Sequence, residues 1–367
     1  LTEATALLQR MFRTAASPDM SPRPAEGSGA PVEAPATRPP RLPGPLRALL
    51  ERVRRNAGVA SKGLQQPAPA LDIVPQGGKF LAARYRNPAG SRAYKLYVPS
   101  HYHGQALPLV VMLHGCNQSS DDFAAGTRMN VIAEEETCLV VYPEQPSDAN
   151  PARCWNWFRP NDQRRDQGEP SLIAGITRQV MRDYAVDPQR VYIGGLSAGA
   201  AAAAVMGTTY PDLYAAVGVH SGLACGAATD LSSALVAMQQ GNATAPSGSD
   251  DILADGVPPL PTIVFHGDQD TTVHPRNGDH VIAQSMGTAT AQKQVHRGQI
   301  RGGHAYTRTV HADASGRASV EHWEIHGGGH AWSGGSPAGS YTDPRGPDAA
   351  KEMLRFFLEH PHPAASW

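Results

Sequence analysis

The chain has 367 residues, with 32 Lys or Arg against 33 Asp or Glu, for a formal net charge of -1. That balance offers no basic field to a nucleic acid and no acidic field to cations. No apolar run reaches the roughly 18 residues of a membrane-spanning helix, and the length suits one large domain with additional segments. The four cysteines, Cys116, Cys138, Cys154 and Cys225, are too few and too scattered for a disulfide scaffold. They form no CxxC pair and leave room for one disulfide.

Residues 1–70 read as an N-terminal arm and residues 71–367 as the main domain. The opening "LTEATALLQRMFRTA" lacks the charged start, apolar centre and cleavage site of a secretory signal, and Leu1 stands where a Met would open a full reading frame. Leu7, Leu8, Met11 and Phe12 mark one short amphipathic helix, and Leu46, Leu49, Leu50 and Val53 a second that carries Arg47, Arg52, Arg54 and Arg55. Between them the Pro- and Ala-rich "SPDMSPRPAEGSGAPVEAPATRPPRLPGP" suits an extended linker. The arm is expected to be a loosely docked appendage. Contact with a surface or a partner through its basic helix is the functional alternative.

From Lys79 the pattern changes to alternating strand and helix. "KFLAARY" and "RAYKLYVP" are short alternating strands joined by a turn over Asn87 to Gly90. "LPLVVMLHG", "CLVVYPE", "RVYIGGL", "AAVGVHSG" and "PTIVFHG" are short apolar runs without polar alternation, as expected of strands buried on both faces of a mostly parallel sheet. Helices are expected over "PSLIAGITRQVMRDYA", "AGAAAAAVMGTTYP", roughly Asn277 to Met286, and the closing "PDAAKEMLRFFLEH". A late hairpin turns at Asp313 to Gly316. The order predicts an α/β architecture with helices on both faces of the sheet.

Gly195-Leu196-Ser197-Ala198-Gly199 is a GxSxG motif between a buried strand and a helix, where a nucleophile elbow belongs. A strand that turns sharply into a helix strains the central residue and brings backbone close, which only very small neighbours tolerate. A serine hydroxyl needs a base, and the base an orienting carboxylate. In the α/β-hydrolase arrangement these follow in the order acid, then histidine. "PTIVFHGDQDTTV" supplies Asp268 and Asp270 at a strand end; spacing does not separate them, but the HGxxDxxV form favours Asp270 and leaves Asp268 as a turn former. The base candidate is His330 in "HGGGHAWSGG". His322, His326 and His330 recur every fourth residue, but in a strand followed by glycines rather than a helix, so no metal site is expected. Backbone N–H groups of Ala198 and Cys116, the latter following "LPLVVMLHG", are the candidate oxyanion donors. The region Leu223 to Gly256 has no clear period and is a candidate cover for the site.

Together "LHGCNQSSDDFA", "YPEQ", "RCWNWF", "GLSAGA", "HGDQD" and "GHAWSGG" make the chain from about Lys79 onward resemble the esterase family of polyhydroxybutyrate depolymerases and, more distantly, feruloyl and acetylxylan esterases. The resemblance implies an α/β-hydrolase fold and a Ser197, His330 and Asp270 triad. It also implies a Cys116–Cys154 disulfide fixing the oxyanion loop, and hence an oxidising, extracellular or periplasmic location. A cytoplasmic location remains the alternative because no signal is visible. Cys138 is read as an apolar filler. Trp155, Trp157 and Trp332, with His114, are expected to line a cleft for acyl chain or polymer; simple packing is the alternative for the tryptophans. Depolymerases acting on crystalline polyester carry a linker and binding domain after the catalytic one. None follows "MLRFFLEH", so amorphous polymer, oligomers or short esters are the expected substrates. No cofactor is expected. A feruloyl or acetylxylan-type esterase, a soluble-ester carboxylesterase and a non-catalytic binder on the same fold are the alternatives.

Overall fold

The computed structural model describes residues 73–241, 258–287, 292–312 and 316–362. The arm with its two expected helices and most of the hairpin turn at 313–316 lie outside the described residues. So does the second half of the candidate cover. Ten strands form one sheet: β1 (Lys79–Asn87), β2 (Gly90–Val98), β3 (Leu107–Leu113), β4 (Leu139–Pro143), β5 (Val186–Leu196), β6 (Ala216–His220), β7 (Thr262–Gly267), β8 (Gln292–Gln299), β9 (Ala305–Ala312) and β10 (Ala318–Ile325). Their order is β1-β2-β4-β3-β5-β6-β7-β10-β9-β8. The middle, from β4 to β10, is parallel throughout. Antiparallel pairs close both edges.

Every residue of β3, β4, β6 and β7 is buried, as their unbroken apolar runs require. The helices are α1 (Ser120–Thr127), α2 (Met129–Glu135), α3 (Gly168–Asp183), α4 (Ala198–Thr209), α5 (Leu231–Gln240), α6 (Arg276–Met286) and α7 (Ala349–Glu359). On one face of the sheet, Leu109, Val111 and Ile193 join Ile173 and Ile176 of α3 and the alanines of α4 in one core cluster. On the other, Val110, Met112 and Tyr192 pack with Ile132 of α2 and with Met353 and Phe357 of α7, and the Tyr192 and Phe357 rings stack at 5.1 Å. Alternate residues of one strand thus feed two cores. Strand β8 carries no apolar alternation because it is an exposed edge strand. Strand β5 begins at Val186, before the expected Arg190, because its first half is partly exposed.

Candidate active site

Strand β5 ends at Leu196 and α4 starts at Ala198, leaving Ser197 at φ 57 and ψ -120. A side chain is held at such a positive φ only where its surroundings over-determine it. Here the Ser197 N–H donates to the carbonyl of His220, at the end of the neighbouring strand β6, at 2.9 Å. The two glycines provide clearance: a Cβ on Gly195 would lie 2.5 Å from the Leu113 carbonyl oxygen, and one on Gly199 would meet the same oxygen.

The Ser197 hydroxyl lies 2.9 Å from His330 Nε2, and His330 Nδ1 lies 2.7 Å from Asp270 Oδ2. The other carboxylate oxygen of Asp270 accepts the N–H groups of Thr272 and Val273 at 2.9 and 2.8 Å. Burial alone would raise the Asp270 pKa. The adjacent His330, with hydrogen bonds from His266 and His330, outweighs it and holds the carboxyl well below the usual carboxylate range. The buried His266, whose Nε2 lies 2.9 Å from the Val273 carbonyl, is a member of this cluster that the sequence does not announce.

Asp268 is more than a turn former. Its carboxylate accepts the Gly327 N–H at 2.7 Å and faces His326 Nδ1 at 3.2 Å, while the Gln269 N–H donates to the Gly328 carbonyl at 3.0 Å. His304 lies 2.9 Å from the His326 carbonyl through Nδ1 and 2.9 Å from Asp343 through Nε2. The glycine-rich segment that carries His330 is therefore fastened on two sides. His322, His326 and His330 do not converge: His326 faces Asp268 and Thr307, whereas His330 faces Ser197 and Asp270.

Cys116 follows β3 and is bonded to Cys154, with 4.3 Å between their Cα atoms. Gln118 Oε1 accepts the Gly115 N–H at 2.9 Å, and the Ala152 carbonyl accepts the Asn117 N–H at 2.7 Å. These bonds hold the turn on either side of Cys116. The Ala198 N–H lies in the first turn of α4, where no intrahelical acceptor exists and the helix dipole favours negative charge. The arrangement suits a charge that develops on a carbonyl oxygen.

The aromatic expectation divides. Trp157 lines a cavity beside Ser197, with Phe158, Leu223, Leu235, Met238 and Val273 among the other walls. Trp155, Trp332 and His114 do not line it; they are buried supports. Trp155 donates its indole N–H to the His114 carbonyl at 3.1 Å. The His114 ring accepts the Gln145 N–H at Nε2, 3.0 Å away, so its proton sits on Nδ1 and goes to the Gly115 carbonyl at 2.7 Å. Trp332 stacks on the His220 ring at 5.0 Å and meets Phe123 edge-on at 5.5 Å. Both tryptophans pack in this way, Trp155 with a backbone partner and Trp332 between other rings. The buried Glu169, accepting the Asn156 N–H at 2.7 Å, anchors the segment after Cys154 and is likewise invisible in the sequence pattern. Cys138 is a buried free thiol whose pKa burial pushes up to about 12, in keeping with a filler.

Comparison with known proteins gives the same direction. The family described as Esterase PHB depolymerase matches residues 92–301. A poly(3-hydroxyalkanoate) depolymerase C from Paucimonas lemoignei is 34% identical over 290 residues, 77% of this chain and 69% of that protein. A feruloyl esterase B from Thermothelomyces thermophilus is 28% identical over 209 residues, 54% of this chain and 70% of that one. Among solved structures, an acetyl xylan esterase from Aspergillus awamori shares the fold with a TM-score of 0.60 at 20% identity, covering 77% of this chain and 99% of its own. The chain belongs to the Esterase PHB depolymerase family, whose members are carboxylic ester hydrolases.

Proposed function

We propose that this carboxylic ester hydrolase is a serine esterase whose substrate is poly(3-hydroxybutyrate) or a related polyester or oligoester. The observation that carries this reading is the continuous hydrogen-bonded line from the Ser197 hydroxyl through His330 to Asp270. Ser197 Oγ attacks the ester carbonyl carbon while His330 Nε2 takes its proton. The negative charge that forms on the carbonyl oxygen is received by the Cys116 and Ala198 N–H groups. His330 then gives the proton to the departing alkoxide, and an acyl ester on Ser197 remains. Water, deprotonated by His330, attacks that ester and releases the acid. Asp270 keeps the imidazole in the tautomer with its proton on Nδ1 and stabilises the imidazolium.

The polyester assignment is supported by the 34% identical poly(3-hydroxyalkanoate) depolymerase and by the apolar cavity beside Ser197. The Cys116–Cys154 bond supports an oxidising compartment outside the cytoplasm. No helix among the described residues is long and apolar enough to cross a membrane. The test is release of soluble hydroxy acid from amorphous poly(3-hydroxybutyrate), with Ser197→Ala as control. Release by the parent alone is expected; no release from either removes the polyester reading. The feruloyl esterase relative favours a second reading, a carbohydrate-linked esterase. Comparing ferulate, acetate and butyrate esters decides between them.

A further inference from the structure

We propose that helix α5 is the acyl-side wall of the site, and that Leu235 and Met238 on it set the length of the acyl chain that reaches Ser197. The inference rests on the reading of Ser197 as nucleophile and goes beyond it by assigning one side of the scissile bond to one cavity. The cavity is lined by Ser197 and by both residues whose N–H groups face the oxyanion, Cys116 and Ala198, but not by His330. The leaving alcohol takes its proton from His330 Nε2 and so departs on the histidine side. The cavity on the other side is left for the acyl group.

Its chemistry narrows that group further. No charged side chain lines it among the described residues, and its walls beyond Ser197 are almost all apolar side chains. A sugar or a carboxylate would lose its water there without gaining partners. An aliphatic acyl chain loses nothing comparable and gains by leaving water.

The helix presents the wall through helical spacing. Leu231, Ala234, Leu235 and Met238 fall three or four residues apart and line the cavity together, while Val236 between them is exposed. At the start of α5, Asp230 and Ser233 form a reciprocal cap. At its other end, the Met238 carbonyl accepts the His274 N–H at 2.7 Å and the Ala237 carbonyl accepts the Asn277 side-chain amide at 2.9 Å. Helix α5 is thus held by its own cap and by backbone carbonyls. Changing the Leu235 or Met238 side chain removes none of these bonds and touches no member of the Ser197, His330 and Asp270 line.

The experiment measures kcat/KM for p-nitrophenyl acetate, butyrate, hexanoate, octanoate and decanoate with the parent, Leu235→Ala, Met238→Ala and Leu235→Phe. A second series varies the alcohol of butyrate esters. One methylene in an apolar pocket discriminates by about tenfold or more. The two alanine variants are therefore expected to raise the octanoate-to-butyrate ratio by about tenfold, and Leu235→Phe to lower it. The ratios in the alcohol series stay within about twofold. An unmoved acyl profile in folded variants, checked by circular dichroism, overturns the proposal. So does a response confined to the alcohol series, which would put the cavity on the leaving-group side. Ser197→Ala separates the two claims: residual hydrolysis by it defeats the nucleophile reading, whereas a dead Ser197→Ala with unmoved profiles defeats only the role of α5.

Discussion

His220 should make the protein lose stability steeply in mild acid. Its ring is wholly buried at the end of strand β6, stacked between Trp332 at 5.0 Å and Phe265 at 5.7 Å, and its Nε2 accepts the Ser333 N–H at 2.9 Å. Burial first, and then the nearby His266 and His330, depress its pKa to about 3 against the opposing pull of Asp270. In the unfolded chain the same ring takes its proton near pH 6.5. Between these two values the unfolded state binds more protons than the native state, so stability is fully present above about pH 6.5 and is lost as pH falls towards 3. At 1.36 kcal/mol per pH unit the loss from His220 alone is about 5 kcal/mol, comparable to the whole stability of many domains. Urea unfolding at about pH 6 and 4 measures it, with His220→Asn as a non-titrating comparison. The variant will be less stable near neutrality, yet its stability should fall about 1.4 kcal/mol less per pH unit. His322, whose pKa burial lowers to about 4, and His114, lowered by burial, add slopes of the same sign that are common to both proteins and cancel. Equal slopes in parent and variant would show that His220 is protonated in the native state and would refute the reasoning.

Two further outcomes follow from the site's supports. Asp268→Ala removes the acceptor of the Gly327 N–H, 2.7 Å away, and frees the segment that carries His330. It should lower kcat by about tenfold or more while changing KM little, because misplacing a base weakens the transition state rather than ground-state binding; steady-state kinetics on p-nitrophenyl butyrate would contradict this if KM rose and kcat held. Opening the Cys116–Cys154 bond, which spans a sequence separation of 38, should cost about 4 kcal/mol in the chain-entropy model. Thermal melts of a Cys116→Ser, Cys154→Ser double variant check it, and an unchanged melting temperature would mean that the bond does not restrain the unfolded chain.

The parts legible in the sequence are those whose signal is local. The central strands are legible because burial on both faces demands an unbroken apolar run, and Ser197 because the elbow demands Gly195 and Gly199 within two residues. Asp270 and His330 are legible through their short motifs. The supports are not, because their partners are distant in sequence and are mostly backbone groups. His220 meets Ser333 across 113 positions and Trp155 meets His114 across 41. A tryptophan beside a site reads the same whether it lines the cleft, as Trp157 does, or holds the loop from behind, as Trp155 does. Helix α5 is short and lies in a region with no clear period, so its role follows only from what its apolar face touches.

The position of each candidate site residue follows from the parallel sheet. Cys116 follows β3, Ser197 follows β5, Asp270 follows β7 and His330 follows β10, so all four stand at carboxyl ends of strands that run the same way. An open α/β sheet gathers its ligands at that edge. The register brings Gly195 opposite Leu113 and Leu196 opposite His220. The Ser197 turn therefore lies directly between the turn after β3 and the strand whose last residue fixes Ser197. Loops long enough to carry these groups are loose by nature, and here each is tied down by a polar side chain, buried in Gln118 and His220 and half-buried in Asp268. Gln118 holds the turn after β3, Asp268 holds the segment that carries His330, and His220 joins that segment to Ser197 by accepting the Ser333 and Ser197 N–H groups. Buried ties of this kind cost stability when their titratable members must stay neutral. The acid sensitivity expected of His220 is thus the thermodynamic counterpart of a candidate site whose residues are held in place by buried hydrogen bonds.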